Sequence, residues 1–234
     1  MITGYPYDNG RHMEIIDMDN ASFACYETYN FPTRLYGATG GQIGDTFFIC
    51  GGYTGSYSNA CYKLENGVWK YDSTAYLNDV RHHAASGSVI MNNSLVIAGG
   101  TASSRLSSIE LVSPNTRSRT LSMRLPSSMY GSCIVPWDNH TFMIIGGYSS
   151  SGSSSSTYFF NIANNTRITG PYLRKSRYYA ACHEMVLKNG ESYIIVVGGH
   201  GSSPEYSTEV LSKSAFKNGW KYGKNSKNGD LGIK

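Results

Sequence analysis

Charged residues are scarce in this 234-residue chain: Asp, Glu, Lys and Arg make up 15% of it, against roughly 25% in an average soluble domain. No stretch approaches the roughly 18 apolar residues of a membrane span, so no spanning helix is expected. Heptads and the Ala/Glu/Lys richness of a coiled coil are missing. The first residues, Met1-Ile2-Thr3-Gly4-Tyr5, show no basic stretch followed by an apolar run, so no secretion leader is read there. That favours the cytoplasm, with the extracellular space the alternative if the chain continues upstream. The five cysteines include no Cys-x-x-Cys pair, which argues against a zinc site. Gly-x-Gly-x-x-Gly, a P-loop and a Ser/His/Asp spacing are also missing. No catalytic residue, metal or cofactor is expected.

Glycine and tyrosine are plentiful, at 26 and 19 residues, and 13% of the chain is aromatic. This is too apolar for a disordered chain, and high Gly and Tyr with little charge fits an all-β protein. The net charge of +4 is local: residues 212–234 carry six Lys and one Asp, leaving −1 for residues 1–211. A nucleic-acid binder needs a basic stripe on its folded body, so nucleic acid is not an expected partner. Residues 223–234 read as a basic, flexible tail.

Four apolar runs each end in a glycine pair: Gly51-Gly52, Gly99-Gly100, Gly146-Gly147 and Gly198-Gly199. Their first glycines lie 48, 47 and 52 residues apart, and Thr3-Gly4 is a degenerate fifth copy. A second pattern runs in the same phase: Arg34-Leu35-Tyr36-Gly37, Arg81-His82-His83-Ala84, Ser128-Met129-Tyr130-Gly131 and Arg177-Tyr178-Tyr179-Ala180. Aligned on Tyr36, His83, Tyr130 and Tyr179, its copies lie 47, 47 and 49 residues apart. Each repeat reads as four short strands, A to D. Strand B is the continuous apolar run, with both faces buried. Strand D carries Phe23, Trp69, Ser118, Ile168 and Trp220 in phase. Glycine pairs fit the end of a buried strand close to a neighbouring unit, where side chains have no room.

A glycine pair after an apolar run, an aromatic on strand D, Arg-x-Tyr/His at strand A and a period near 50 residues together resemble Kelch repeats. The resemblance covers residues 1–222 and implies a β-propeller of four-stranded antiparallel blades. Four blades are complete and one lacks strand A and most of strand B. The ring is thus expected to be incomplete and the chain a fragment of a longer protein, the alternative being a small five-bladed ring with an imperfect first blade. Departures are Thr3 for Gly, Ser128 for Arg, and Ser118 and Ile168 for Trp. In similar domains the face formed by the B–C and D–A loops captures protein segments, often acidic ones, with arginines at the strand A positions. Here that face is rich in Tyr, Ser, Gly and Asn, a composition suited to adaptable recognition. The expected partner-binding set is Arg34, Tyr36, Tyr53, Arg81, His83, Arg105, Tyr130, Tyr148, Arg177, Tyr179 and His200. The three strand A arginines have an alternative, structural reading: bonding carbonyls of neighbouring blades. The expected structural set is the four glycine pairs with Trp69 and Trp220.

The resemblance implies a non-enzymatic protein-binding module, such as the substrate adaptor of a cullin-type ubiquitin ligase. Alternatives are a cytoskeletal or extracellular adhesion scaffold. A copper radical oxidase on a similar propeller is a remote third, because the histidines here follow the repeat phase. Cys50 and Cys61 lie on adjacent strands and could form a disulfide in an oxidising compartment, although the odd cysteine count argues against full pairing. Cys133 and Cys182, at matching strand A positions, read as small buried residues near the inner edge. The chain holds four Asn-x-Ser/Thr sequons, at Asn20, Asn92, Asn139 and Asn164, about the number chance would place with 17 Asn. They fall in A–B and C–D turns, where Asn is also favoured for its turn conformations.

Overall fold

A computed structural model of the chain describes residues 31–223 and, before them, the backbone of two strands. These are β1 (Glu14–Ile16) and β2 (Cys25–Glu27), paired antiparallel. The tail after Gly223, the partial first repeat's side chains, Phe23 and Asn20 lie outside the described residues.

Four antiparallel meanders follow in chain order. Sheet I holds β3 (Thr39–Ile43), β4 (Thr46–Cys50), β5 (Ala60–Glu65) and β6 (Val68–Tyr76). Sheet II holds β7 (Ile90–Met91), β8 (Ser94–Ala98), β9 (Ser108–Ser113) and β10 (Thr116–Arg124). Sheet III has β11 (Cys133–Pro136) and β12 (Thr141–Ile145), then a small hairpin of β13 (Tyr148–Ser149) and β14 (Gly152–Ser153), then β15 (Thr157–Asn161) and β16 (Thr166–Thr169). Sheet IV holds β17 (Ala181–Val186), β18 (Ser192–Val197), β19 (Thr208–Ser212) and β20 (Lys221–Tyr222). Turn chemistry closes these hairpins locally. Asn66-Gly67 and Asn92-Asn93 have positive φ at both central residues, the mirror-image turn whose twist matches that of its strands.

The second strand of each meander reveals how the sheets stack. On β8, Leu95 and Ile97 pack with Phe48, Cys61 and Leu77 of sheet I, while Val96 and Ala98 pack with Ile134, Phe142 and Ile144 of sheet III. On β12 the alternation continues, with Met143 and Ile145 facing Ile194, Val196 and Leu211 of sheet IV. Every residue of β12 is buried. Each such side chain removed from water contributes about 1.5–3 kcal/mol. The end sheets differ from the expectation of two buried faces: Phe47 of β4 is 41% exposed and Val197 of β18 is 46% exposed. Strand D also varies. Trp69 and Trp220 are buried, the latter donating to the Pro171 carbonyl at 2.9 Å, but Ile168 is 60% exposed.

Consecutive sheets are joined at the glycine pairs. The Gly52, Gly100 and Gly147 amides donate to the carbonyls of Arg81, Met129 and Arg177 at 2.7, 2.9 and 2.9 Å, each from one sheet to the segment leading into the next. The first glycine of these three pairs must let that carbonyl approach. A Cβ on Gly51 would lie 2.7 Å from Arg81 O, and one on Gly99 2.5 Å from Met129 O, with φ of +74° and +63°.

Two disulfides lie in this framework. Cys50 and Cys61 face each other across β4 and β5 and are bonded, with Cα atoms 4.1 Å apart. Cys133 and Cys182, expected as simple packing residues, are instead bonded to each other and tie the first strands of sheets III and IV. Spacing alone concealed this, because the two residues meet only once sheets III and IV stack.

The joint predicts an asymmetry among glycines of the same left-handed conformation. Gly99→Ala should lower stability by about 2–4 kcal/mol, combining backbone strain with a carbonyl clash. Gly44→Ala, at φ +56° with nothing within 4 Å, should lose only about 1 kcal/mol. Urea denaturation of both variants measures the difference; equal losses would refute the steric account of the joint.

Candidate functional site

The residue after each glycine pair fixes one end of the stack. Tyr53, Thr101, Tyr148 and His200 form antiparallel backbone bridges with Tyr36, His82, Tyr130 and Tyr178. This corrects the sequence alignment by one residue in two repeats: the equivalent positions are Tyr36, His82, Tyr130 and Tyr178, spaced 46, 48 and 48 residues apart. The next positions, Gly37, His83, Gly131 and Tyr179, all have left-handed φ, between +51° and +64°. Their amides are chained: His83 N–H donates to Gly37 O at 2.8 Å, Gly131 N–H to His83 O at 2.9 Å and Tyr179 N–H to Gly131 O at 2.7 Å. A left-handed bulky residue is uncommon, and here two of them place their rings 5.1 Å apart.

These bridges bring together a continuous aromatic face. Tyr36 meets Tyr53 at 5.2 Å, Tyr53 meets Tyr57 at 5.5 Å, and Tyr57 meets His82 at 5.1 Å. His82 contacts His83 at 4.4 Å, and Tyr179 carries the series from His83 to Tyr178 at 5.0 Å. Tyr178 then touches Tyr148 at 5.0 Å and His200 at 5.4 Å, and Tyr148 meets Tyr130 at 5.5 Å. The Arg105 guanidinium lies 5.5 Å from the Tyr148 ring centre and 5.9 Å from that of Tyr130. Of the expected binding set, Tyr36, Tyr53, His83, Arg105, Tyr130, Tyr148, Tyr179 and His200 thus come together. Tyr57, His82 and Tyr178 belong with them and were missed. The signal for His82 and Tyr178 was the bridge register, which the apparent Arg-x-Tyr pattern obscured.

The expected arginines separate from this group. Arg81 and Arg177 are each 1% exposed. Arg81 donates from Nη1 to the carbonyls of Gly99 at 2.7 Å and Ser108 at 3.2 Å, and from Nη2 to Ser108 Oγ and the Glu110 carboxylate. Arg177 repeats this with Gly198 O at 2.8 Å, Ser207 O at 2.9 Å and Glu209 Oε1 at 2.7 Å. Each glutamate also accepts two backbone N–H groups: Asn78 and Asp79 at Glu110, Arg174 and Lys175 at Glu209. The guanidinium charge is therefore answered inside the fold and faces no external ligand. Their bonds go to carbonyls of the sheet each arginine leads into, rather than to a neighbouring one. In sheets I and III the corresponding pairs are Leu35 with Tyr62 and Met129 with Tyr158, which pack as apolar contacts. Arg34 falls one residue before Leu35 and is exposed.

Comparison with known proteins returns no matching family model and no matching curated protein. The chemistry of the face therefore rests on its own geometry. Burial lowers the His82 pKa; burial and the neighbouring His82 lower that of His83 to about 4. Burial, followed by the other ring hydroxyls, raises Tyr130 and Tyr179. At neutral pH His82 and His83 are thus uncharged rings, and Tyr130 and Tyr179 keep their phenol O–H groups, beside the cation of Arg105. His82 Nδ1 and Arg105 Nε are buried there without a hydrogen-bond partner. Among the described residues no His/Cys/Asp/Glu group could hold a metal.

The His83 shift gives a signed pH dependence. Its folded pKa is about 4, below the roughly 6.5 of an unfolded chain, so folding favours the neutral ring. The stability it contributes is full above about pH 6.5 and is lost as pH falls towards the folded value. His83→Asn, which tolerates the left-handed backbone, should flatten the fall in melting temperature over that range. Superimposable pH profiles for the two proteins would show that His83 titrates normally.

Proposed function

We propose that this chain is a non-enzymatic protein-binding module, a run of Kelch-like propeller blades that takes its partner on the aromatic face. The observation that carries this reading is the unbroken ring-to-ring contact from Tyr36 to His200 at one end of all four sheets. Stiff Tyr rings with polar tips give large contact area at small entropy loss, and Tyr and Arg are enriched among hot spots. Left-handed backbone at His83 and Tyr179 supports it further, since strained conformations concentrate at functional sites. The propeller reading draws support from face-to-face stacking of meanders that share one chain of inner backbone bonds.

The partner is a protein surface offering apolar, aromatic and amide groups rather than a strongly acidic segment, because Arg81 and Arg177 are internally matched. Disulfides persist in oxidising compartments and are rare in the cytosol. The two formed here favour the extracellular scaffold over a cytosolic ubiquitin-ligase adaptor.

A photo-crosslinking residue at Tyr57 should capture the partner, while one at Val68, exposed at the opposite end of the sheets, should not. Against the captured partner, Tyr57→Ser and Tyr179→Asn should each weaken binding roughly tenfold or more. Capture from Val68 alone, or unchanged affinity in both variants, would overturn the assignment of this face.

A further inference from the structure

We infer that Asn139 and Asn164 carry N-linked glycans. Each opens a sequon, Asn139-His140-Thr141 and Asn164-Asn165-Thr166. Sequence statistics leave such matches uninformative, and turns favour Asn anyway, so the structural question is whether the backbone itself demands these asparagines. At Asn92 it does: φ is +49° in a two-residue turn, a conformation for which Asn is chosen. Asn139 and Asn164 are not among the positive-φ residues; in the Asn164 sequon it is Asn165 that turns left-handed, at +55°. Turn geometry therefore leaves Asn139 and Asn164 unexplained.

Accessibility and surroundings then agree. Both asparagines are exposed. Neither amide nitrogen is engaged by a hydrogen bond among the described residues. In the Asn164 sequon the Thr166 hydroxyl donates to Asn164 Oδ1 at 2.6 Å, leaving Nδ2 outward for attachment. Asn164 borders a cavity of about 270 Å³ walled by Trp137, Phe159, Ile168 and Phe216. Ile168, 60% exposed where its counterparts Trp69 and Trp220 are buried, lies in that wall, where a bulky sugar shields it from water. Asn139 lies on a second, wider cleft of about 610 Å³ at the same end of the sheets. Both sites are remote from the aromatic face, so glycans leave that face open.

Compartment supplies the remaining requirement. The two disulfides need the oxidising lumen in which glycan transfer also occurs; the inference rests on that part of the proposed function and not on the binding partner. The co-reactant is a lipid-linked oligosaccharide pyrophosphate. Nδ2 of Asn forms a bond to C1 of the first sugar, the C1–O bond to pyrophosphate breaks, the amide loses one proton and the lipid pyrophosphate leaves. Nothing is oxidised or reduced.

The test uses the protein isolated from the organism that makes it. Enzymatic release of N-glycans converts an occupied Asn to Asp, and peptide mass spectrometry should read Asp at positions 139 and 164 only after release. In the secreted recombinant protein, Asn139→Gln and Asn164→Gln should each remove one glycan. Alkylation of free thiols on the same native sample separates two failures. Unmodified asparagines with all four bridged cysteines resistant to alkylation overturn the glycan assignment alone. Unmodified asparagines with reactive thiols overturn both it and the oxidising compartment.

Discussion

A backbone hydrogen bond from the second glycine of the first three pairs to the segment leading into the next sheet is the constraint on which this architecture depends. It fixes the distance between consecutive sheets at their inner ends. The first glycine makes room for the accepting carbonyl, and the residue after the pair is then committed to bridge Tyr36, His82, Tyr130 or Tyr178. Stacking, the inner amide chain and the aromatic face all follow from that one contact. A Cβ at Gly99 would displace a backbone oxygen, which cannot rotate away as a side chain could.

The same joint has two solutions around it. In sheets II and IV a buried arginine ties the glycine-pair carbonyl to a glutamate on the third strand. In sheets I and III, Leu35 with Tyr62 and Met129 with Tyr158 fill the corresponding space. Removing one partner of a buried ion pair typically destabilises by about 3–5 kcal/mol, whereas a well-packed apolar replacement of both is near neutral. The residues change together because a lone Arg or Glu there would be a buried, unanswered charge. The alternation also explains why the aromatic face carries so little charge: its nearest cations are turned inward, and Arg105 lies over tyrosine rings.

Much of this was legible in the chain. Continuous apolar runs ending in glycine pairs located β4, β8, β12 and β18; β8 and β12, packed between two sheets, must be apolar throughout. The loop face was legible from its Tyr-rich composition. Register was not: Arg34 and Arg81 look equivalent in sequence, yet a loop shorter by one or two residues aligns Leu35 with Arg81. The roles of Arg81 and Arg177 were equally hidden, since their carboxylate partners lie 29 and 32 residues away on another strand. The Cys133–Cys182 bond, spanning 49 residues, depends on how two sheets stack, which no local pattern encodes.

Native-state amide hydrogen exchange at Gly52, Gly100 and Gly147 tests the central claim most directly. If these bonds hold the sheets together, the three amides should exchange only with global unfolding, in the slowest class with the β8 and β12 amides. Exchange at the rate of the surrounding loops, with β8 and β12 still protected, would contradict it.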